Sequence, residues 1–104
     1  MPISPKPNVR RASRQLTVQN QLDIHARPAA EFVRRVQTFR SQIWIVVGDK
    51  RYNAGRLMDL LTANLDYGAS FLLEAEGSDA EAAVERLEKL MLELRDAEAR
   101  GEHS

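Results

Sequence analysis

The sequence predicts an α/β (α+β) fold, an open-faced two-layer sandwich in which three helices cover one face of a four-stranded antiparallel sheet. Apolar residues recur with helical spacing in three stretches, and four other stretches have the alternating or β-branched pattern of strands. These stretches follow one another in the order β-α-β-β-α-β-α. The length of 104 residues suits one two-layer core and is too short for two.

The first strand is indicated by Leu16 and Val18, which alternate with polar neighbours. Residues 1–14 hold three of the four prolines and four basic residues with no acid, a composition that buries no core. We therefore expect a flexible basic tail over residues 1–14, a folded domain over 15–100 and a disordered end over 101–104.

The first helix is expected from about Ala26 to Gln37, and Pro28 is compatible with its first turn because amides there have no carbonyl partner within the helix. His25 then lies at or beside the N-cap, next to free N–H groups and the positive end of the helix dipole, where an anion is readily held. The apolar residues with i, i+3, i+4, i+7 spacing are Ala29, Phe32, Val33 and Val36.

The middle of the chain predicts two strands and a short helix. Gln42 to Val47 is rich in β-branched residues, and Gly48-Asp49-Lys50 is a turn signal before a strand that begins with Arg51 to Asn53. A helix follows from Gly55 or Arg56 to Thr62. Its four large apolar residues exceed what one buried face needs, so some should be exposed. They are Leu57, Met58, Leu60 and Leu61.

The last two elements are a strand from Ser70 to Glu76 and a long helix. Ser78-Asp79-Ala80-Glu81 has the pattern of a capping box, in which Ser78 caps an amide and Glu81 reaches back. Arg100-Gly101 ends the helix. Its apolar stripe, which should be core, consists of Ala80, Ala83, Val84, Leu87, Leu90, Met91 and Leu94.

The open face of the sheet is expected to carry an apolar patch. If alternate residues of the second strand face the helices, Trp44 and Val46 face outward, where Leu72 joins them. The patch is then covered by the tail through Ile3 or Val9, or it is a contact surface. A single exposed tryptophan is the simpler alternative.

The charge is strongly asymmetric although the net charge is zero. Residues 1–56 carry eleven basic residues and three acids, whereas residues 57–104 carry four basic residues and twelve acids. The basic half suits an acidic protein surface. Nucleic-acid binding is disfavoured, because aromatics are sparse there and no recognition motif appears.

Composition also argues against several classes of protein. The chain has no cysteine, which excludes disulfides and thiolate metal sites, and we expect neither a metal nor a cofactor. No apolar run approaches the ~20 residues that cross a bilayer. We therefore expect no membrane insertion and a cytoplasmic location.

One motif points to a specific family. The run His25-Ala26-Arg27-Pro28-Ala29-Ala30, followed by Phe32 and Val33, resembles the active-site signature of the HPr family, the histidine phosphocarrier proteins of the phosphoenolpyruvate-dependent phosphotransferase system. The resemblance covers roughly Leu16 to Leu94 and implies the open-faced sandwich. It continues through Phe39-Arg-Ser-Gln-Ile, Asn53-Ala54, Leu57-Met58, Ala75-Glu76-Gly77 and Ala83-Val84 with Leu87, Leu90 and Met91.

The resemblance implies that His25 accepts a phosphoryl group on Nδ1 from phospho-enzyme I and passes it to an enzyme IIA domain, so the protein is a carrier and not an enzyme. A neutral imidazole is a competent nucleophile, and Arg27 with the helix N-terminus at Ala26 and Arg27 would support the phosphate. The short helix would dock partners through Leu57, Met58 and Leu61. The alternative is an HPr-like regulatory protein that signals nitrogen or carbon status by docking, without feeding sugar uptake.

Two residues depart from the family pattern. Arg56 stands where many HPr proteins have a regulatory serine, which puts that regulation in doubt. We expect Arg56 to support docking to an acidic partner or to help hold the phosphate, although an exposed arginine without either role fits equally well. Asp23 replaces a usual glycine, and it either favours protonation of His25 or competes with the incoming phosphoryl group.

Overall fold

The computed structural model describes residues 10–18, 26–63, 65 and 68–99, and for 26–28 and 97–99 it describes the backbone alone. The order of its elements is the predicted β-α-β-β-α-β-α. The elements are β1 (Arg10–Thr17), α1 (Ala26–Val36), β2 (Gln42–Val47), β3 (Lys50–Asn53), α2 (Leu57–Thr62), β4 (Ser70–Gly77) and α3 (Ala80–Ala99).

The four strands form one antiparallel sheet in the order β1-β4-β2-β3. A two-residue turn joins β2 to β3, and Gly48 there has φ 63°, a conformation that a residue without Cβ adopts freely. β4 lies between β1 and β2, so both of its edges are paired. The predicted open-faced sandwich is confirmed.

The core lies between the sheet and the helices. Phe71, Leu73 and Ala75 of β4 are buried on one face, as predicted, and Ile45 of β2 is fully buried beside them. Each large side chain of this kind contributes about 1.5–3 kcal/mol by leaving water. The apolar stripe of α3 covers this face and is buried from Ala80 to Met91, while Leu94 is partly buried. Among the helices that the structure describes, none is long and apolar enough to span a bilayer.

The first strand begins earlier than the sequence indicated. Residues 10–14 pair with β4 from Gly77 to Leu73, so the expected tail through residue 14 is too long. The reason is that β1 is an edge strand whose arginines need no burial. Arg11 forms an ion pair with Glu76 at 2.7 Å, and Arg14 pairs with Glu88 of α3. Residues 1–9 and 101–104 of the predicted tail and end lie outside the described residues.

The predicted capping box at α3 is wrong. The first intrahelical hydrogen bond runs from the Ala83 amide to the Asp79 carbonyl at 2.8 Å, which makes Asp79 the N-cap residue. Its carboxylate accepts the backbone amides of Arg40 and Ser41 at 2.8 and 2.9 Å, together with the Ser41 hydroxyl at 2.5 Å. Asp79 therefore fastens the start of α3 to the loop before β2, and Ser78 has no capping bond.

These hydrogen bonds set the charge of Asp79. Burial opposes ionisation of the carboxyl, but the hydrogen bonds from Ser41 and the Arg40 amide outweigh it and hold the pKa of Asp79 below its ordinary value of 3.8. Since the folded-state pKa is lower than the unfolded one, the stabilisation is complete above the unfolded value and is lost as the pH falls through the folded value.

We expect Asp79→Asn to lower the free energy of unfolding by about 1–2 kcal/mol at pH 7, because the amide keeps one acceptor oxygen and loses the charge. The difference from the wild type should shrink as the pH falls below 3.8, because the unfolded chain then takes up a proton on Asp79 before the folded chain does. Urea denaturation of both proteins at pH 7, 4 and 3 measures this difference. A gap that stays constant over this range would contradict the assignment.

Candidate functional site

The predicted phosphorylation motif lies at the start of α1. The helix begins at Ala26, as predicted, so His25 is the residue that immediately precedes it in the sequence. The amides of the first turn have no carbonyl partners within the helix, and they carry the positive end of its dipole. His25 itself and the side chains of Ala26 and Arg27 lie outside what the structure describes.

The position of α1 is fixed by its buried face. Ala29 and Phe32 are fully buried, and Val33 and Val36 are nearly so. This face packs against α2 and α3. A helix anchored along several turns has little freedom to tilt, so the residues at its N-terminus are presented from a rigid support. Such preorganisation lowers the cost of ordering a group that has to meet a partner in one geometry.

The turn before α2 is tied to α1 by hydrogen bonds. The Gln37 side chain, just after α1, donates through Nε2 to the Gly55 carbonyl at 3.0 Å. The Gly55 amide donates to the Asn53 side chain at 2.8 Å, and the Asn53 amide donates to the Asp59 carboxylate at 3.2 Å. These contacts hold the start of α2 in a fixed relation to the end of α1.

The apolar residues of α2 divide between the core and the surface. Leu60 is buried with 3% exposure, Leu57 and Leu61 are half-buried, and Met58 is 72% exposed. Leu57, Leu60 and Leu61 have i, i+3, i+4 spacing and share one face, which Met58 does not. Part of this apolar set is therefore exposed, as expected. Of the three docking candidates, Met58 is the one whose side chain is mainly free for a contact.

Arg56 is the N-cap residue of α2. Its backbone is extended (φ −124°, ψ 119°), its side chain makes no capping hydrogen bond, and it is exposed. No ion pair joins it to another described residue. A positive charge at this end of a helix opposes the dipole by about 0.3–1 kcal/mol when exposed. Arg56 therefore adds nothing to the local stability of α2, and no described acid neutralises its charge.

The open face of the sheet carries the predicted apolar residues and a cluster of charges that the sequence did not reveal. Trp44 is in register with Glu74, and Val46 is in register with Leu72. Arg51 of β3 stacks on the Trp44 ring, 3.8 Å from its centroid. Strand alternation was sufficient to place the apolar residues, but only the register between strands brings the charges beside them. In the part of the chain that the structure describes, no three His, Asp or Glu residues group to hold a metal ion.

Comparison with known proteins agrees with this arrangement. A family model described as PTS HPr component phosphorylation site matches residues 12–93. The phosphocarrier protein HPr of Buchnera aphidicola subsp. Schizaphis graminum is 44% identical over 71 residues, which are 68% of this chain and 84% of the relative. The crystal structure of HPr-C-His from Thermoanaerobacter tengcongensis has a TM-score of 0.69 and 32% identity, with 83% of this chain and 92% of that chain covered.

Relatives with other names match at similar levels. The phosphocarrier protein NPr of Shewanella violacea is 34% identical over 71% of this chain and 81% of its own length. The HPr-like protein Crh of Halalkalibacterium halodurans is 35% identical over 71% of this chain and 88% of its own length. The matches thus include more than one branch of related proteins.

Proposed function

Because this chain belongs to the HPr family of phosphocarrier proteins, we propose that it accepts a phosphoryl group on His25 from phospho-enzyme I and passes it to an enzyme IIA domain of a sugar phosphotransferase system. The observation that carries the proposal is the start of α1 at Ala26, directly after the histidine of the family motif. The proposal includes a cytoplasmic location.

The chemistry proceeds by two transfers between histidines. A ring nitrogen of neutral His25 attacks the phosphorus of the phosphorylated enzyme I, so a new N–P bond forms as the N–P bond to the donor breaks. In the second transfer the enzyme IIA histidine attacks the same phosphorus, and His25 leaves. Between the two steps the first-turn amides of α1 and the Arg27 guanidinium stabilise the phosphate on His25. The protein is in this sense a covalent substrate of enzyme I, and the carrier and its partner complete the site together.

Docking is assigned to α2. Met58 supplies an exposed apolar contact, Leu57 and Leu61 supply the half-buried area beside it, and Arg56 supplies a positive charge at the edge. An exposed apolar centre with a charge at its rim is the arrangement that protein interfaces use, since the apolar area gives affinity and the charge speeds encounter. Arg56 forms no ion pair with another described residue, and this supports an acidic surface on the partner.

The test is a phosphorylation assay with phosphoenolpyruvate and the cognate enzyme I, read by intact mass. We expect the mass of one phosphoryl group, lost in acid because N–P bonds hydrolyse there, and no change when enzyme I is omitted. If folded protein gains no phosphate while the same enzyme I phosphorylates another carrier, the motif is a docking surface without carrier chemistry.

A regulatory role is the second candidate, because NPr and Crh match this chain nearly as well as HPr proteins do. In addition, Arg56 stands where the family resemblance places a regulatory serine. In this case the phosphorylated or unphosphorylated protein would dock to a regulator and sugar uptake would not depend on it. Genes for sugar-specific permease components beside this one would favour transport. Deletion of the gene separates the two roles, since a transport role predicts loss of phosphotransferase sugar uptake.

We expect Met58→Asp to raise the KM of enzyme I for this protein by about tenfold or more, because an unpaired charge is buried at the contact. The matched control is Leu92→Asp on α3, since Leu92 is the other exposed large apolar residue, at 41%, among the described residues. Steady-state phosphorylation rates of the two variants give the comparison. Equal KM values for both would remove Met58 from the docking surface.

A further inference from the structure

The open face of the sheet holds a groove that no described element covers. It is lined by side chains of all four strands, with Trp44 of β2 at its centre and Arg51 stacked on the indole. Arg51 also pairs with Glu74 at 3.5 Å, and Arg11 pairs with Glu76 at 2.7 Å. Trp44 and the neighbouring Val46 and Leu72 are only partly buried. The groove thus combines an aromatic centre, an apolar end and charged walls.

The charges of the groove do not select a charged partner. Two arginines and two glutamates are paired within it, so its net charge is zero. An occupant that is mainly apolar and weakly charged suits such a surface best. A segment attached to the same chain has a further advantage, since its effective concentration at the groove reaches the millimolar range.

Residues 1–9 have this composition and lead directly into the groove. They read Met-Pro-Ile-Ser-Pro-Lys-Pro-Asn-Val, with three prolines, one basic residue and no acid. They precede Arg10, the first residue of β1, and Arg11 already lines the groove. Proline-rich segments favour the extended polyproline II conformation and dock on grooves lined by aromatic residues, because little conformational freedom is lost.

The distances fit this segment. Trp44 and Ser13 are both in register with Glu74 of β4, so they lie two strand spacings apart, about 10 Å. Ser13 lies about 10 Å along β1 from Arg10. The distance from Arg10 to Trp44 across the sheet is therefore about 14 Å. A polyproline II chain advances about 3.1 Å per residue, so about five residues span this distance and bring Pro5 to Trp44. Ile3, two residues before Pro5, then lies level with Val46 and Leu72.

We propose that the segment from Ile3 to Pro7 packs across the open face, with Pro5 against Trp44 and Ile3 against Val46 and Leu72. The segment shields the apolar centre of the sheet on the face opposite to α1 and α2. Lys6, the one charged residue of the segment, then passes over β4. The inference does not depend on phosphorylation of His25.

The absence of cysteine in the chain allows a direct test. A disulfide forms only when two Cα atoms come within about 7 Å, so Ile3→Cys with Leu72→Cys should close rapidly within one molecule under mild oxidation. The matched control is Ile3→Cys with Lys89→Cys, because Lys89 is exposed on α3, on the other side of the sheet. Equal closure rates for the two pairs would overturn the proposal, and a predominantly dimeric product would assign the groove to a second copy of the chain.

The single tryptophan gives a second readout in the protein without added cysteines. We expect Ile3→Ser to shift the emission of Trp44 to longer wavelength and to increase its quenching by acrylamide, since the segment that covers it is loosened. Asn8→Ser, which removes no apolar anchor, should leave both unchanged. Identical emission and quenching in the wild type and Ile3→Ser would show that Ile3 does not cover the groove.

Discussion

His25→Ala should accept no phosphoryl group from phospho-enzyme I under conditions that phosphorylate the wild type completely. The substitution removes the ring nitrogen that forms the N–P bond, and no other nucleophile of the motif replaces it. The residue precedes α1, whose buried face is anchored by Ala29 and Phe32, so the fold should survive the change. Intact mass after incubation with phosphoenolpyruvate and enzyme I measures the result.

His103 provides the matched control, since the chain has two histidines. His103→Ala should gain one acid-labile phosphate at the wild-type rate, because His103 belongs to no helix-start motif in the sequence. Urea denaturation of both variants shows whether they are folded. If folded His25→Ala gained a phosphate and His103→Ala did not, His103 would be the phosphorylated residue and the proposed function would be overturned.

The parts of the fold that the sequence predicted correctly are those in which burial follows a local period. β2 has the predicted bounds from Gln42 to Val47, because nearly all of its residues are β-branched or aromatic. The stripe of α3 was equally visible, since Ala80, Ala83 and Leu87 face the core on successive turns. Such patterns are set by the chain itself and need no knowledge of its neighbours.

The errors occur where a distant partner decides the structure. Residues 10–14 look like tail because they are polar, yet they form an edge strand whose arginines pair with Glu76 and Glu88. Asp79 replaces Ser78 as the cap of α3 because its carboxylate binds the amides of Arg40 and Ser41, which are distant in sequence. Hydrophobic period and capping motifs contain no information about either contact.

The candidate site falls between these cases. The excess of apolar residues in α2 predicted exposure, and the i, i+3, i+4 spacing of Leu57, Leu60 and Leu61 would have singled out Met58 as the exposed one. Whether an acid lies near Arg56 depends on the packing of distant segments, and the sequence does not show that no described acid pairs with it. The role of His25 stays a prediction that rests on the motif and on the start of α1.

Gly77→Ala should destabilise the fold by about 2–5 kcal/mol, a large part of the stability of a small domain. Gly77 ends β4 with φ 154°, and an added Cβ would lie 2.6 Å from the Cα and the Oγ of Ser41. Ser41 has no room to retreat, because its amide donates to the Asp79 carboxylate at 2.9 Å. The methyl group therefore strains β4 or breaks the hydrogen bonds that hold the start of α3.

Gly48→Ala separates the effect of contact from that of backbone conformation. Gly48 has φ 63°, but nothing lies within 4 Å of its added Cβ, so the substitution carries only the left-handed strain of about 1–2 kcal/mol. Gly77→Ala should therefore lower the urea midpoint more than Gly48→Ala does, because it adds a steric contact to the backbone strain. In the double variant Gly77→Ala with Asp79→Asn, the loss in free energy of unfolding should be smaller than the sum of the two single losses, because both changes release the same loop at Ser41. Equal costs at the two glycines, or full additivity with Asp79→Asn, would mean that the loop before β2 yields freely and that α3 is held by its apolar stripe alone.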